Sequence, residues 1–178
     1  MATKKTECTH VKKDIIPLLT TPFDTHIRNF TAIAKYFLYY APNIDSAHSP
    51  GKLSDEDAEQ ILVQMKNHAD MRKSFDFLKS VKSSSWTSRG LEGTSLCFEC
   101  SRMLCSQTAK EDQLTCLLRH IRNSFAHGRV YVLSRKGKST LLMLEDLNAD
   151  KKRSLSARIV IPYKVLEEWK AILENYRP

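Results

Sequence analysis

No stretch of this chain approaches the run of about 20 apolar residues that a membrane-spanning helix needs. The opening Met1-Ala-Thr-Lys-Lys-Thr-Glu-Cys has lysines but no hydrophobic segment behind them, so no secretory signal is expected. Cysteine is sparse and odd in number, at 5, in a chain well supplied with aliphatic residues. A disulfide scaffold is not needed, and a reducing, cytoplasmic setting is expected. Paired carboxylates are missing too. Asp14, Asp24 and the acids at 55–59 form no arrangement suited to metal-dependent nuclease chemistry, so no cofactor is expected.

What is present is basic. Twenty-eight Lys and Arg against 20 Asp and Glu give a net charge of +8, with a pI near 9.3. That balance favours polyanionic partners, nucleic acid first, although many soluble proteins are basic without binding one. The length of 178 residues, 42% hydrophobic and 27% charged, fits one globular domain.

The periodicity reads as helices followed by a small β element. Residues 1–13 are polar and expected to form a flexible tail. A first helix is predicted from about Thr25 to Ala41, capped by Asp24 or Thr25, with Ile27, Phe30, Ala34, Phe37, Leu38 and Ala41 on one face and Pro42 ending it. Residues 42–53 read as a loop. Ser54 opens a second helix with a capping box to Asp57 and a stripe of Ala58, Ile61, Leu62, Met65, Ala69 and Arg72, drifting to Met71, Phe75 and Leu78. Residues 82–90 read as a loop, about 92–106 as a third helix and about 110–127 as a fourth. The fourth has Leu114, Leu117, Leu118, Ile121 and Phe125 on one side and Gly128 as its stop. Strands are then predicted at 129–133, 140–144 and 157–161, and a last helix at about 162–176, opened by Pro162. The expected architecture is mainly α: a helical bundle over 25–127, then a small antiparallel meander and closing helix over 128–178. No internal repeat is evident.

The sharpest feature is Arg119-His-Ile-Arg-Asn-Ser-Phe-Ala-His-Gly-Arg129. Helix residues step by about 100° around the axis. Asn123 and His127, four apart, are therefore neighbours on a side roughly opposite the apolar stripe. His120 falls on that side as well, and Arg119 and Arg122 fall between. In a monomer this side is expected to look into solvent or a cleft, and a second copy packed about a two-fold axis would bring two sets together. A histidine at a helix C-terminus suits proton transfer, and arginine offers a fork that matches phosphate. Such groups can cleave RNA without metal: the 2′-hydroxyl attacks, His127 moves a proton, Arg122 stabilises charge on the phosphate and Asn123 orients. The product would be a 2′,3′-cyclic phosphate, and DNA would be left intact. Arg119, His120 and Arg129 flank these residues and are expected to contact substrate. The plainer reading is a histidine that caps a helix beside a solvated Arg-Asn pair.

Arg122-Asn123-Ser124-Phe125-Ala126-His127-Gly128 resembles the motif of the HEPN superfamily: arginine, a polar residue, three residues, then histidine, late in a helix. The resemblance is dense over about 15 residues from Leu117. It implies an α-helical bundle that dimerises with the motif helices facing one another. It also implies metal-independent endoribonuclease activity in a toxin–antitoxin or defence setting, with RNA as substrate and an antitoxin or activator as a further partner. Arg122, Asn123 and His127 take the motif's three roles. A non-catalytic HEPN-like module that binds RNA or nucleotides, or serves as a dimerising scaffold, is the alternative.

Cys97 and Cys100, with Cys105 and Cys116 later, invite a zinc reading. Leu96, Cys97, Cys100, Met103 and Leu104 at helical spacing instead suggest an apolar helix face. Lys136, Lys138, Lys151, Lys152 and Arg153 cluster at hairpin turns and suit either solvent or RNA phosphates. Trp86 and Trp169 read as packing residues.

Overall fold

The structure, a computed structural model, describes residues 12–14, 27–68, 75–93, 95–97, 101–135, 138–149 and 154–176. Its centre is a five-stranded mixed sheet in the order β2-β4-β7-β6-β5. The strands are β2 Phe75–Leu78, β4 Arg102–Ser106, β5 Val130–Arg135, β6 Lys138–Leu147 and β7 Leu155–Pro162. β2 runs parallel to β4, and the other neighbours are antiparallel. A separate pair joins β1 Lys12–Asp14 to β3 Ser95–Cys97.

One face of the sheet carries the helices. α1 Phe30–Lys35 continues as a π-helical turn at Tyr36–Tyr40, closed by Ala41 N–H donating to Tyr36 O at 3.0 Å. α2 is Asp55–His68, α4 Gln113–Ala126 and α5 Tyr163–Asn175. Phe30, Phe37, Ile61, Met65, Leu117, Ile121, Phe125, Leu142, Leu144, Ile159, Ile161 and Trp169 meet in one buried core. The opposite face is covered by the segment that holds the short helix α3 Ser83–Thr87, where Trp86 and Leu91 pack on Leu104, Leu141, Met143 and Val160. That layer is pinned by arginines. Arg158 pairs with Glu145 across the β6–β7 register and donates to the carbonyls of Leu91 and Gly93, and Arg102 donates to those of Arg89 and Gly90.

This is an α+β protein, not a mainly helical bundle with a small C-terminal meander. Two segments read as helical are strands. Phe75-Asp-Phe-Leu alternates, with Phe75 and Phe77 against the helical core and Asp76 paired with Arg89 at 2.6 Å. Arg102-Met-Leu-Cys-Ser is a central strand buried on both faces, Met103 and Cys105 toward the helices and Leu104 toward Trp86. A short strand covered on both sides shows no alternation, so its apolar run matches a buried helix equally well. Among the described residues of the predicted third helix over 92–106 there is no helix, since Ser95–Cys97 and Arg102–Ser106 are strands, and the helical face expected from Leu96 to Leu104 is not formed there. Residues 82–90, read as a loop, contain α3. The first helix starts at Phe30, after Asn29 in a left-handed conformation at φ 62°, and the proposed caps Asp24 and Thr25 lie outside the described residues.

Other expectations hold. Ser54 Oγ accepts from Asp57 N–H at 3.1 Å, and Ala58, Ile61, Leu62 and Met65 are buried along α2. The last helix buries Val165, Leu166, Trp169 and Leu173. Trp169 is a packing residue, its indole N–H donating to Met65 O at 3.0 Å, and Trp86 is buried likewise. Of the cysteines, Cys105 and Cys116 are buried free thiols and Cys100 lies outside the described residues, as do Lys136, Lys151, Lys152 and Arg153. Among the described helices, none is long and apolar enough to cross a membrane.

Candidate active site

α4 is fixed at both ends. Asp112 is its N-cap, its Oδ1 accepting from Thr115 N–H at 2.8 Å. At the other end Arg129 N–H donates to Ser124 O at 2.8 Å and Gly128 N–H to Phe125 O at 3.2 Å, with Gly128 at φ 64°. This is the paired hydrogen bonding of a Schellman stop, and glycine takes the left-handed position that it requires. Nothing lies within 4 Å of a Cβ placed on Gly128, so the cost of a side chain there is conformational alone. Gly128→Ala is expected to destabilise the fold by about 1 kcal/mol, measured as a shift in the urea midpoint. An unchanged midpoint would show that the helix ends without help from Gly128.

The stop leaves His127 as the C-cap residue, exposed, with no side-chain partner among the described residues. Arg122 and Asn123, one turn earlier, are half-buried. Arg122 Nη1 donates to Asn123 Oδ1 at 3.3 Å, the one hydrogen bond its guanidinium makes among the described residues, and its Nε is buried without a partner. The Asn123 amide is engaged at both ends, since Nδ2 donates to Asp146 Oδ2 at 3.1 Å. A flipped amide would set NH₂ against guanidinium and oxygen against carboxylate, so these neighbours fix its orientation.

The side of α4 that carries His120 was expected to look into solvent or a cleft. It faces the sheet instead: α4 lies between α2 and the π-helical turn on one side and β4 and β6 on the other, and His120 is 1% exposed. Its Nδ1 lies 2.8 Å from Asp146 Oδ2 and its Nε2 2.9 Å from Ser106 O, two acceptors that suit a doubly protonated ring. Arg119 is held in a fork by Glu111, at 2.9 and 2.7 Å. Arg129 is half-buried two residues beyond His127, its backbone bonded to Ser124 and Glu145. The structure thus joins Arg122, Asn123 and, through Asp146, His120 in one chain of contacts. Arg119, forked to Glu111, also lies 3.3 Å from His120 Nε2 and donates to Ser106 O at 3.3 Å, and His127 is left apart at the helix end.

Asp146, Glu111 and Ser106 are the participants that sequence reasoning missed. The available signal was Leu141-Leu-Met-Leu-Glu-Asp-Leu147, an apolar strand interrupted by two acids, both buried. An acid on a buried strand needs a partner. Asp146 shares the helix-facing side with Leu142 and Leu144 and meets α4 there, and Glu145 points the other way, to Arg158.

The electrostatics follow. Burial acts to lower the His120 pKa, but the hydrogen bond to Asp146, then that with Cys116, outweighs it and lifts the imidazole to about 9. Burial acts to raise Asp146, and its bonds from His120 and Asn123 hold it below the ordinary carboxylate range. The hydrogen bond from Cys105 draws Cys116 down to about 6 against its burial, with help from His120, whereas burial pushes Cys105 up. Glu111 and Asp146 balance Arg119 and His120, so Arg122 and Arg129 are left without carboxylate partners among the described residues.

These shifts give a pH prediction. His120 rises above its unfolded value of about 6.5, so its contribution is full below that and is lost as pH climbs toward 9. Cys116 falls below its unfolded value of about 8.5, so its contribution grows with pH across much of the same window. The wild-type urea midpoint is expected to stay nearly level from pH 6.5 to 9, and that of Cys116→Ala to fall. A level curve for Cys116→Ala would contradict a charged His120.

An α+β protein whose central helix ends in Arg122, Asn123 and an exposed His127 is the class that fold and site define. Residues 12–177 match the family model described as HEPN pEK499 p136, and the chain belongs to that family. No curated protein and no solved structure gives a match.

Proposed function

We propose that the chain is a metal-independent endoribonuclease whose site is Arg122, Asn123 and His127, completed by a second copy in a homodimer. The observation that carries the reading is the end of α4 in a HEPN chain. There an exposed His127 follows, by just over one turn, an arginine with no carboxylate partner among the described residues. Arg122 supplies a fork of N–H donors for the scissile phosphate. His127 takes the proton from the 2′-hydroxyl or delivers one to the leaving 5′-oxygen, and in a dimer the two copies can divide these tasks. Asn123 steadies the arginine. Arg129, next to the helix stop, adds positive charge for the RNA backbone. His120 and Arg119 are supporting groups, the one buried under Asp146 and the other held by Glu111. A toxin or phage-defence role, with an antitoxin or activator as partner, is the setting proposed for this activity.

The test is incubation of an oligoribonucleotide pool with the purified chain in EDTA. Wild type is expected to cleave and His127→Ala to lose cleavage with its fold intact. Intact RNA at high protein concentration would favour the non-catalytic, dimerising module and overturn the proposal.

A further inference from the structure

We infer that Asp146, on β6, is a positioning residue for this site: its carboxylate holds the Asn123 amide, and through it the Arg122 guanidinium, toward phosphate. The inference rests on the endoribonuclease reading and adds to it a residue from the sheet, 23 positions beyond Asn123 in sequence.

One oxygen of Asp146 receives two donors, His120 Nδ1 at 2.8 Å and Asn123 Nδ2 at 3.1 Å. The carboxylate is carried by a strand paired to β7, with Asp146 opposite Ala157 just before a register shift, and two residues past the end of the β5 ladder at Leu144. Asn123 and Arg122 are consecutive helix residues, whose side chains diverge by about 100°. Contact between them at 3.3 Å therefore needs the amide held in place, and Asp146 is the group that holds it. With both ends of that amide engaged, Asn123 acts as a strut between sheet and arginine. His120 anchors the far side of the carboxylate. Arg119, Glu111, Cys105 and Cys116 are the other ionisable groups around this pair.

A double-mutant cycle separates this positioning role from simple neutralisation of His120. Asp146→Asn keeps the size of the side chain and an acceptor but removes the charge. It is expected to lower kcat per folded molecule by about tenfold with little change in KM, as for groups that orient a reacting group through a neighbour. In an Arg122→Lys chain, where the fork is already gone, the same substitution is expected to change kcat less than about twofold. Equal losses in both backgrounds, or a wild-type kcat for Asp146→Asn, would overturn the inference. A second measurement is independent of catalysis. The Asn123 side-chain amide protons, observed by NMR, are expected to exchange slowly in wild type and to move toward free-amide positions in Asp146→Asn, and further in Asp146→Ala. If wild type cuts no RNA, the endoribonuclease reading falls, and an Asn123 amide unmoved by these changes would overturn the positioning role as well.

Discussion

Arg122→Ala is expected to reduce chelator-resistant RNA cleavage by about 100- to 1000-fold, the loss found when one preorganised donor to a developing negative charge is removed. The fold should survive, because Arg122 is half-buried and its guanidinium makes one hydrogen bond, to Asn123, among the described residues. Most of the loss should fall on kcat, since charge on the phosphate oxygens grows toward the transition state. Arg122→Lys should recover only a small part, because an ammonium restores the charge but not the planar fork. Single-turnover rates on a labelled oligoribonucleotide, with circular dichroism to check folding, measure this. An Arg122→Ala rate within about threefold of wild type would remove Arg122 from the chemistry.

The largest expected effect on stability is at Asp146. Asp146→Ala strips the buried imidazolium of its carboxylate and leaves the Cys116 thiol as its one remaining acidic neighbour among the described residues; breaking such a buried pair costs about 3–5 kcal/mol. Both partners are almost fully buried, at 1% and 4% side-chain exposure, so solvent does little to soften the loss. Asn123 loses its acceptor at the same time. The penalty should shrink above about pH 9, where His120 sheds its proton in the wild type. Urea denaturation of both chains at pH 6 and pH 9.5 measures it. A loss below about 1 kcal/mol at pH 6, or one that grows with pH, would mean that His120 is neutral.

Local signals carried much of this molecule, and the failures have a common cause. The stripe Leu114, Leu117, Leu118, Ile121 and Phe125 is buried as periodicity predicts, and Gly128 does stop the helix in a left-handed conformation. Those features depend on neighbours in sequence. The opposite side of α4 depends on two strands, whose contacts with His120 come from 14 and 26 residues away in sequence. Periodicity put His120 on a side expected to face solvent or a cleft because it is off the apolar stripe, whereas β4 and β6 cover it and satisfy it with Ser106 and Asp146. β4 was missed for a related reason, as a strand buried on both faces loses the alternation that marks strands. β2 was taken for the end of α2 because Met71, Phe75 and Leu78 sit at spacings that a helix also produces. The proposed site was legible as a motif of three residues, but the contacts around it were not, because they are held together only by the fold.

The central claim is that the end of α4 cleaves RNA through its own 2′-hydroxyl. Analysis of the product ends tests it most directly, using an oligoribonucleotide and its 2′-deoxy counterpart treated with the wild-type chain in EDTA. The account predicts 2′,3′-cyclic phosphate and 5′-hydroxyl ends from the RNA and an untouched deoxy strand. Cleavage of both strands, or products that carry 5′-phosphates, would contradict it.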